Sequence, residues 1–103
     1  MKTPELIALF ETTFKNCLDV MLKKNHDYSK GDSALRNFEL VQHLQVATPS
    51  QGVLVRLSDK FMRICNLYNT PGQVLDESVD DTISDMINYL VILKATLKQE
   101  REK

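Results

Sequence analysis

Much of what usually betrays a function is scarce in this chain. Only two cysteines, Cys17 and Cys65, occur in 103 residues. They stand far apart and form no zinc-ligand spacing. Both fall on the apolar faces of predicted helices and read as small buried hydrophobes in a reducing cytoplasm. There is no basic excess: 13 Lys and Arg stand against 14 Asp and Glu, a formal net charge of -1. A grip on a duplex by counterion release needs such an excess, so duplex nucleic acid is not an expected partner. No apolar run approaches the ~18 residues of a membrane span. The start, Met1-Lys2-Thr3-Pro4, leads into no uninterrupted apolar stretch, so no secretory signal is expected. The expectation is a cytoplasmic protein without a membrane partner. No P-loop, dinucleotide glycine fingerprint or nucleophile elbow is found. Strand-like alternation, internal repeats and low-complexity segments are also missing.

What remains is ordinary in bulk and patterned in detail. Hydrophobic residues make up 43% and charged residues 26%, values that argue against disorder and fit one globular domain over 1–103. A core of this size is modest, so a homo-oligomer is expected.

The periodicity predicts an all-α bundle of about four main helices. The first runs from about Pro4 to Lys24, capped by Thr3, with Leu6, Phe10, Phe14, Cys17, Leu18 and Met21 at helical spacing. Lys23 and Lys24 suit the negative end of its dipole. A polar stretch, Asn25 to Ser33, reads as a loop. Asp32 or Ser33 then caps a shorter helix of roughly Ala34 to Leu44. Thr48-Pro49 starts a third helix, expected over Pro49 to Tyr68, and Asn69-Thr70-Pro71-Gly72 ends it. A fourth begins near Asp76 and passes Lys98, with residues 99–103 expected to fray.

Three polar groupings carry candidate chemistry. On the fourth helix, Glu77, Asp81, Asp85 and Asn88 span an arc of about 80° at ~100° per residue. A solvated acidic face near a helix N-terminus explains Glu77 and extends at most to Asp81. It explains Asp85 less well, because from Met86 to Leu93 the helix is apolar nearly all round. A carboxylate entering such an interior needs a cation or a metal. On the third helix, Arg56, Asp59, Lys60 and Arg63 recur at i, i+3, i+4 and i+7, with Asn66 beyond. The plain reading is intrahelical ion pairing. The alternative is a phosphate grip, for which arginine is suited by its bidentate geometry. Finally, the loop offers Asn25, Asp27 and Tyr28, the last able to stack on a base or simply to pack. His26 and His43 have no matching ligand array.

Taken in order, Lys24-Asn25-x-Asp27-Tyr28, Asn37-Phe38, Arg56-x-x-Asp59-Lys60-x-x-Arg63 and Glu77-Ser78-x-x-Asp81-x-x-x-Asp85-x-x-Asn88-Tyr89 resemble the phage and bacterial nucleotide modification associated domain. The likeness runs from about Lys24 to Leu93. It implies a phage or bacterial source and a role in nucleotide metabolism. More distantly, the architecture resembles the MazG-like all-α nucleotide pyrophosphohydrolases, oligomeric bundles that bind Mg²⁺ through Glu-x-x-Glu and Glu-x-x-Asp motifs on adjacent helices. Here the third helix has Arg56-x-x-Asp59 instead, and the fourth has Asp81-x-x-x-Asp85, one residue longer.

Three readings follow. In the first, an enzyme holds Mg²⁺ through Asp81 and Asp85 together with Glu77 or Asp59, with Asp81 and Asp85 catalytic. Arg56, Lys60 and Arg63 then neutralise charge on a nucleotide that Asn25, Asp27, Tyr28, Asp59 and Asn88 help to bind. In the second, a phage protein binds and sequesters a nucleotide, such as a host immune signal, without chemistry. In the third, a helical module contacts other proteins and takes no small ligand.

Overall fold

The structure, a computed structural model, describes residues 1–28, 35–70 and 77–102. All the secondary structure among them is helical: α1 (Thr3–Tyr28), α2 (Arg36–His43), α3 (Pro49–Tyr68) and α4 (Glu77–Glu102). The predicted all-α bundle is therefore the observed fold.

Helix α3 begins and ends where its signals place it. Thr48 is extended, and its hydroxyl accepts from the Gln51 amide at 3.2 Å while its own amide donates to Gln51 Oε1 at 2.9 Å. This reciprocal pair satisfies two amides that a helix start leaves without partners. Pro49 follows at the first helical position, where it gives up no hydrogen bond.

Two expected boundaries move. Helix α1 does not stop at Lys24 but continues through Tyr28, so Asn25, Asp27 and Tyr28 belong to its last turn rather than to a loop. The rest of that loop, including the expected caps Asp32 and Ser33, lies outside the described residues. At the other end of the chain, the tail is not frayed: α4 is helical through Glu102. Glu100 holds it down. Its carboxylate accepts from the Ser50 hydroxyl at 2.8 Å and from the Ser50 amide at 3.2 Å. A negative group at the first turn of α3 meets amides that carry the positive end of the helix dipole.

Helix α2 ends in a left-handed turn without glycine. Gln45 has φ 60°; its amide donates to the Gln42 carbonyl at 2.9 Å and that of Val46 donates to the Val41 carbonyl at 3.2 Å. These two bonds form a Schellman closure, a place where glycine is the usual occupant.

The helices pack in series around α4. Helix α3 lies along one side of it, α1 along another, and α2 rests on α3. Phe38 of α2 meets Tyr89 of α4 edge-on, rings 6.3 Å apart. Val53 and Leu57 of α3 are buried, and so are Thr82 and Thr96 of α4, Leu35 and Cys17. Thr96, with no exposed surface, satisfies its hydroxyl on the Leu93 carbonyl at 3.0 Å. Both cysteines are free thiols.

The apolar stripes are only partly turned inward, contrary to expectation. Of the stripe on α1, Cys17 is buried, but Leu6, Phe10, Phe14 and Leu18 remain exposed. Leu54, Phe61 and Tyr68, at i, i+7 and i+14 on α3, are exposed as well. With α1 resting chiefly on α4, this open arrangement covers less apolar surface than a closed bundle does. Among the described residues no helix is long and apolar enough to cross a membrane.

Candidate functional site

Asp85 lies where the three long helices converge. It sits on α4 with about a fifth of its side chain exposed. Lys24, from the last turns of α1, reaches one carboxylate oxygen at 3.1 Å, and Lys60, from the middle of α3, reaches the other at 3.1 Å. The acid is thus held from both flanking helices. Burial is the largest single influence on its carboxyl and opposes ionisation. The hydrogen bonds and charges of Lys60 and Lys24 together outweigh it and hold the pKa below its ordinary value. The expected cation partner of Asp85 is therefore a pair of lysines.

One of those lysines was not among the site residues expected from sequence. Lys24 reads locally as a charge suited to a helix C-terminus, and nothing in its neighbourhood points to a carboxylate 61 residues away. Thr82 was also missed. Its hydroxyl, buried against α3, accepts from Arg63 Nε at 3.2 Å. That bond fixes the plane of the guanidinium, and its terminal nitrogens remain available for a planar, two-point contact.

Along α3 runs an open groove of about 510 Å³, lined by Arg56, Asp59, Lys60, Arg63 and Asn66, with Met62, Leu67 and Thr70 completing it. The intrahelical ion pairs of the plain reading do not form. Among the described residues Lys60 turns to Asp85, Arg63 to Thr82, and neither Arg56 nor Asp59 has an oppositely charged group within 4 Å. Arg56, Asp59 and Arg63 are all exposed. The groove wall carries three cations and one acid, and among the described residues only Lys60 is neutralised.

The acidic stripe of α4 does not gather into a comparable cluster. Asp81 is exposed, and Asn88 is half-buried; neither has a side-chain hydrogen bond among the described residues. The side chains of Glu77, Asn25, Asp27 and Tyr28 lie outside the described residues, although their backbones are helical. Among the described residues no three His, Cys, Asp or Glu side chains are grouped so as to hold a metal ion. Both oxygens of Asp85 are engaged by ammonium groups, and Mg²⁺ asks for several oxygen ligands at once. The described donors do not fit that ion. What the arrangement can do is attract and orient an anion. In comparisons with protein-family models, curated proteins and solved structures nothing matches the chain.

Proposed function

We propose that this protein binds a phosphate-bearing nucleotide in the groove along α3, as a binding protein and not through metal-dependent hydrolysis. The observation that carries this reading is the disposition of charge. The half-buried acid, Asp85, is satisfied by Lys24 and Lys60, while Arg56 and Arg63 line the open groove with no carboxylate within 4 Å among the described residues. A guanidinium in that state is a ready partner for phosphate oxygens. A groove of about 510 Å³ falls within the ~300–1,000 Å³ usual for small-molecule sites. The nucleotide itself rests on the resemblance of the Lys24–Leu93 motifs. The phage or bacterial source rests on the same likeness, and the sequestering role on the glutamates missing from the third helix.

Calorimetry of the full chain against a nucleoside triphosphate, its monophosphate and the bare nucleoside tests the reading. Each is titrated with and without Mg²⁺, and the ligand is recovered by chromatography. The phosphorylated ligands are expected to bind, and the nucleoside to bind far less. Arg56→Ala and Arg63→Ala are each expected to weaken binding roughly tenfold or more, since a hydrogen bond to a charged group contributes ~1.5–3 kcal/mol. Intact ligand is expected after incubation. Equal affinity for nucleoside and nucleotide overturns the phosphate grip. Mg²⁺-dependent turnover that is lost in Asp81→Asn moves the assignment to the hydrolase.

A further inference from the structure

Two demands meet on Lys60. Its ammonium lies 3.1 Å from one oxygen of Asp85, and its side chain lines the α3 groove with Arg56 and Arg63. An ammonium on a flexible four-carbon stem can turn from the acid to the groove, whereas the Arg63 guanidinium is pinned on Thr82. What Lys60 leaves behind decides whether it can turn. Asp85 has 22% of its side chain exposed. Its carboxyl is held below its ordinary pKa, so it is ionised at neutral pH. A carboxylate so far out of water is costly to strip of every partner.

Lys24 supplies the other partner. It holds the opposite oxygen of Asp85 at 3.1 Å, so each carboxylate oxygen has its own ammonium. Lys24 lines no part of the groove. Its side chain is 55% exposed and comes from α1, which rests chiefly on α4. With Lys24 in place, Lys60 can leave and Asp85 still keeps an ion pair. Without Lys24, the departure of Lys60 leaves a half-buried charge alone. The two bridges are therefore not redundant, because one of them frees the other.

We propose that Lys24 is a positioning residue for the anion groove: by holding Asp85 it releases Lys60 to a phosphate-bearing ligand, and it ties occupancy of the groove to the attachment of α1. This coupling rests on the phosphate grip proposed above and adds a regulation to it. It runs in both directions. When α1 detaches, the groove weakens. When an anion draws Lys60 away, Asp85 is left to Lys24 alone and α1 is held more firmly.

Calorimetry of the full chain against adenosine triphosphate and inorganic tripolyphosphate reads the coupling. Lys24→Gln is expected to weaken both about fivefold or more with its helical circular dichroism kept, and Lys24→Arg to bind as the parent does. A charge that acts on the ligand directly has the same effect whatever stands at position 85; a charge that acts through Asp85 does not. In Asp85→Asn, where Lys60 is already free, adding Lys24→Gln is expected to cost no further affinity. Hydrogen exchange gives the reverse reading: saturating tripolyphosphate is expected to slow the amides of α1 in the parent and not in Asp85→Asn. Unchanged affinity in Lys24→Gln, or an equal loss in the parent and in Asp85→Asn, overturns the role of Lys24 and leaves the phosphate grip standing. Absence of binding by the parent removes the phosphate grip itself, and the coupling with it. Should Asp85→Asn not fold, exchange in the parent decides: binding without slowing of α1 overturns the coupling.

Discussion

Asp85 between Lys24 and Lys60 is a charge held by position, and its removal separates two roles. A metal ligand lost as Asp85→Asn takes ligand affinity with it. A structural counter-ion lost in the same way leaves two lysines without their partner, while the phosphate grip of Arg56 and Arg63 persists. We expect Asp85→Asn to lower stability by about 1 kcal/mol and to leave nucleotide affinity unchanged or raised, because Lys60 is freed beside the groove. Chemical denaturation and calorimetry on the same preparation read both. The pH dependence has a definite sign. The folded-state pKa of Asp85 lies below its ordinary value, so its contribution is complete above about pH 4 and is lost as pH falls through the folded pKa. Acid titration of stability is expected to be steeper in the parent protein than in Asp85→Asn. At Gln45 the backbone alone is at issue. A φ of 60° costs a side-chain-bearing residue about 1 kcal/mol, so Gln45→Gly is expected to raise stability by about 0.5–1 kcal/mol, read as a higher midpoint in urea.

At the scale of the helix, the Ser50–Glu100 contact joins the start of α3 to the end of α4. Glu100→Ala removes both hydrogen bonds and a carboxylate well placed for the helix dipole. The expected loss is about 1 kcal/mol, with circular dichroism showing less helix as the last turn of α4 frays. Residues whose structure is set by neighbours in sequence were legible in advance, and this contact shows why others were not. Thr48, Pro49 and Asn69 delimit α3 because capping is local chemistry. The end of α4 depends on Ser50, half the chain away, and no pattern in residues 99–103 announces it. Helix α1 overran its expected end because Asn and Asp carry a helix penalty of only about 0.5 kcal/mol per residue, small enough to be overridden. The candidate site divides in the same way. Face arithmetic marks Asp85 as an acid in need of a cation, and the cationic stripe of α3 is visible as spacing. That Lys24 and Lys60 are the partners, and that Arg56 and Asp59 ignore each other, follows from how the helices dock.

At the scale of the whole molecule, α1 is joined to the rest chiefly along α4. Among the described residues its one buried side chain is Cys17, whereas Val53 and Leu57 of α3 and Thr82 and Thr96 of α4 are buried. A helix attached on one side is free to leave without disturbing the others, so the chain has two cooperative units instead of one. In native-state hydrogen exchange, amides in α1 are expected to open at a smaller free energy than those around Val53 and Leu57, and to open together. Mild denaturant is therefore expected to release α1 while the contacts of α3 with α4 persist. The first helix to leave is thus also the one that carries Lys24, and its departure strips Asp85 of one of its two ammonium partners.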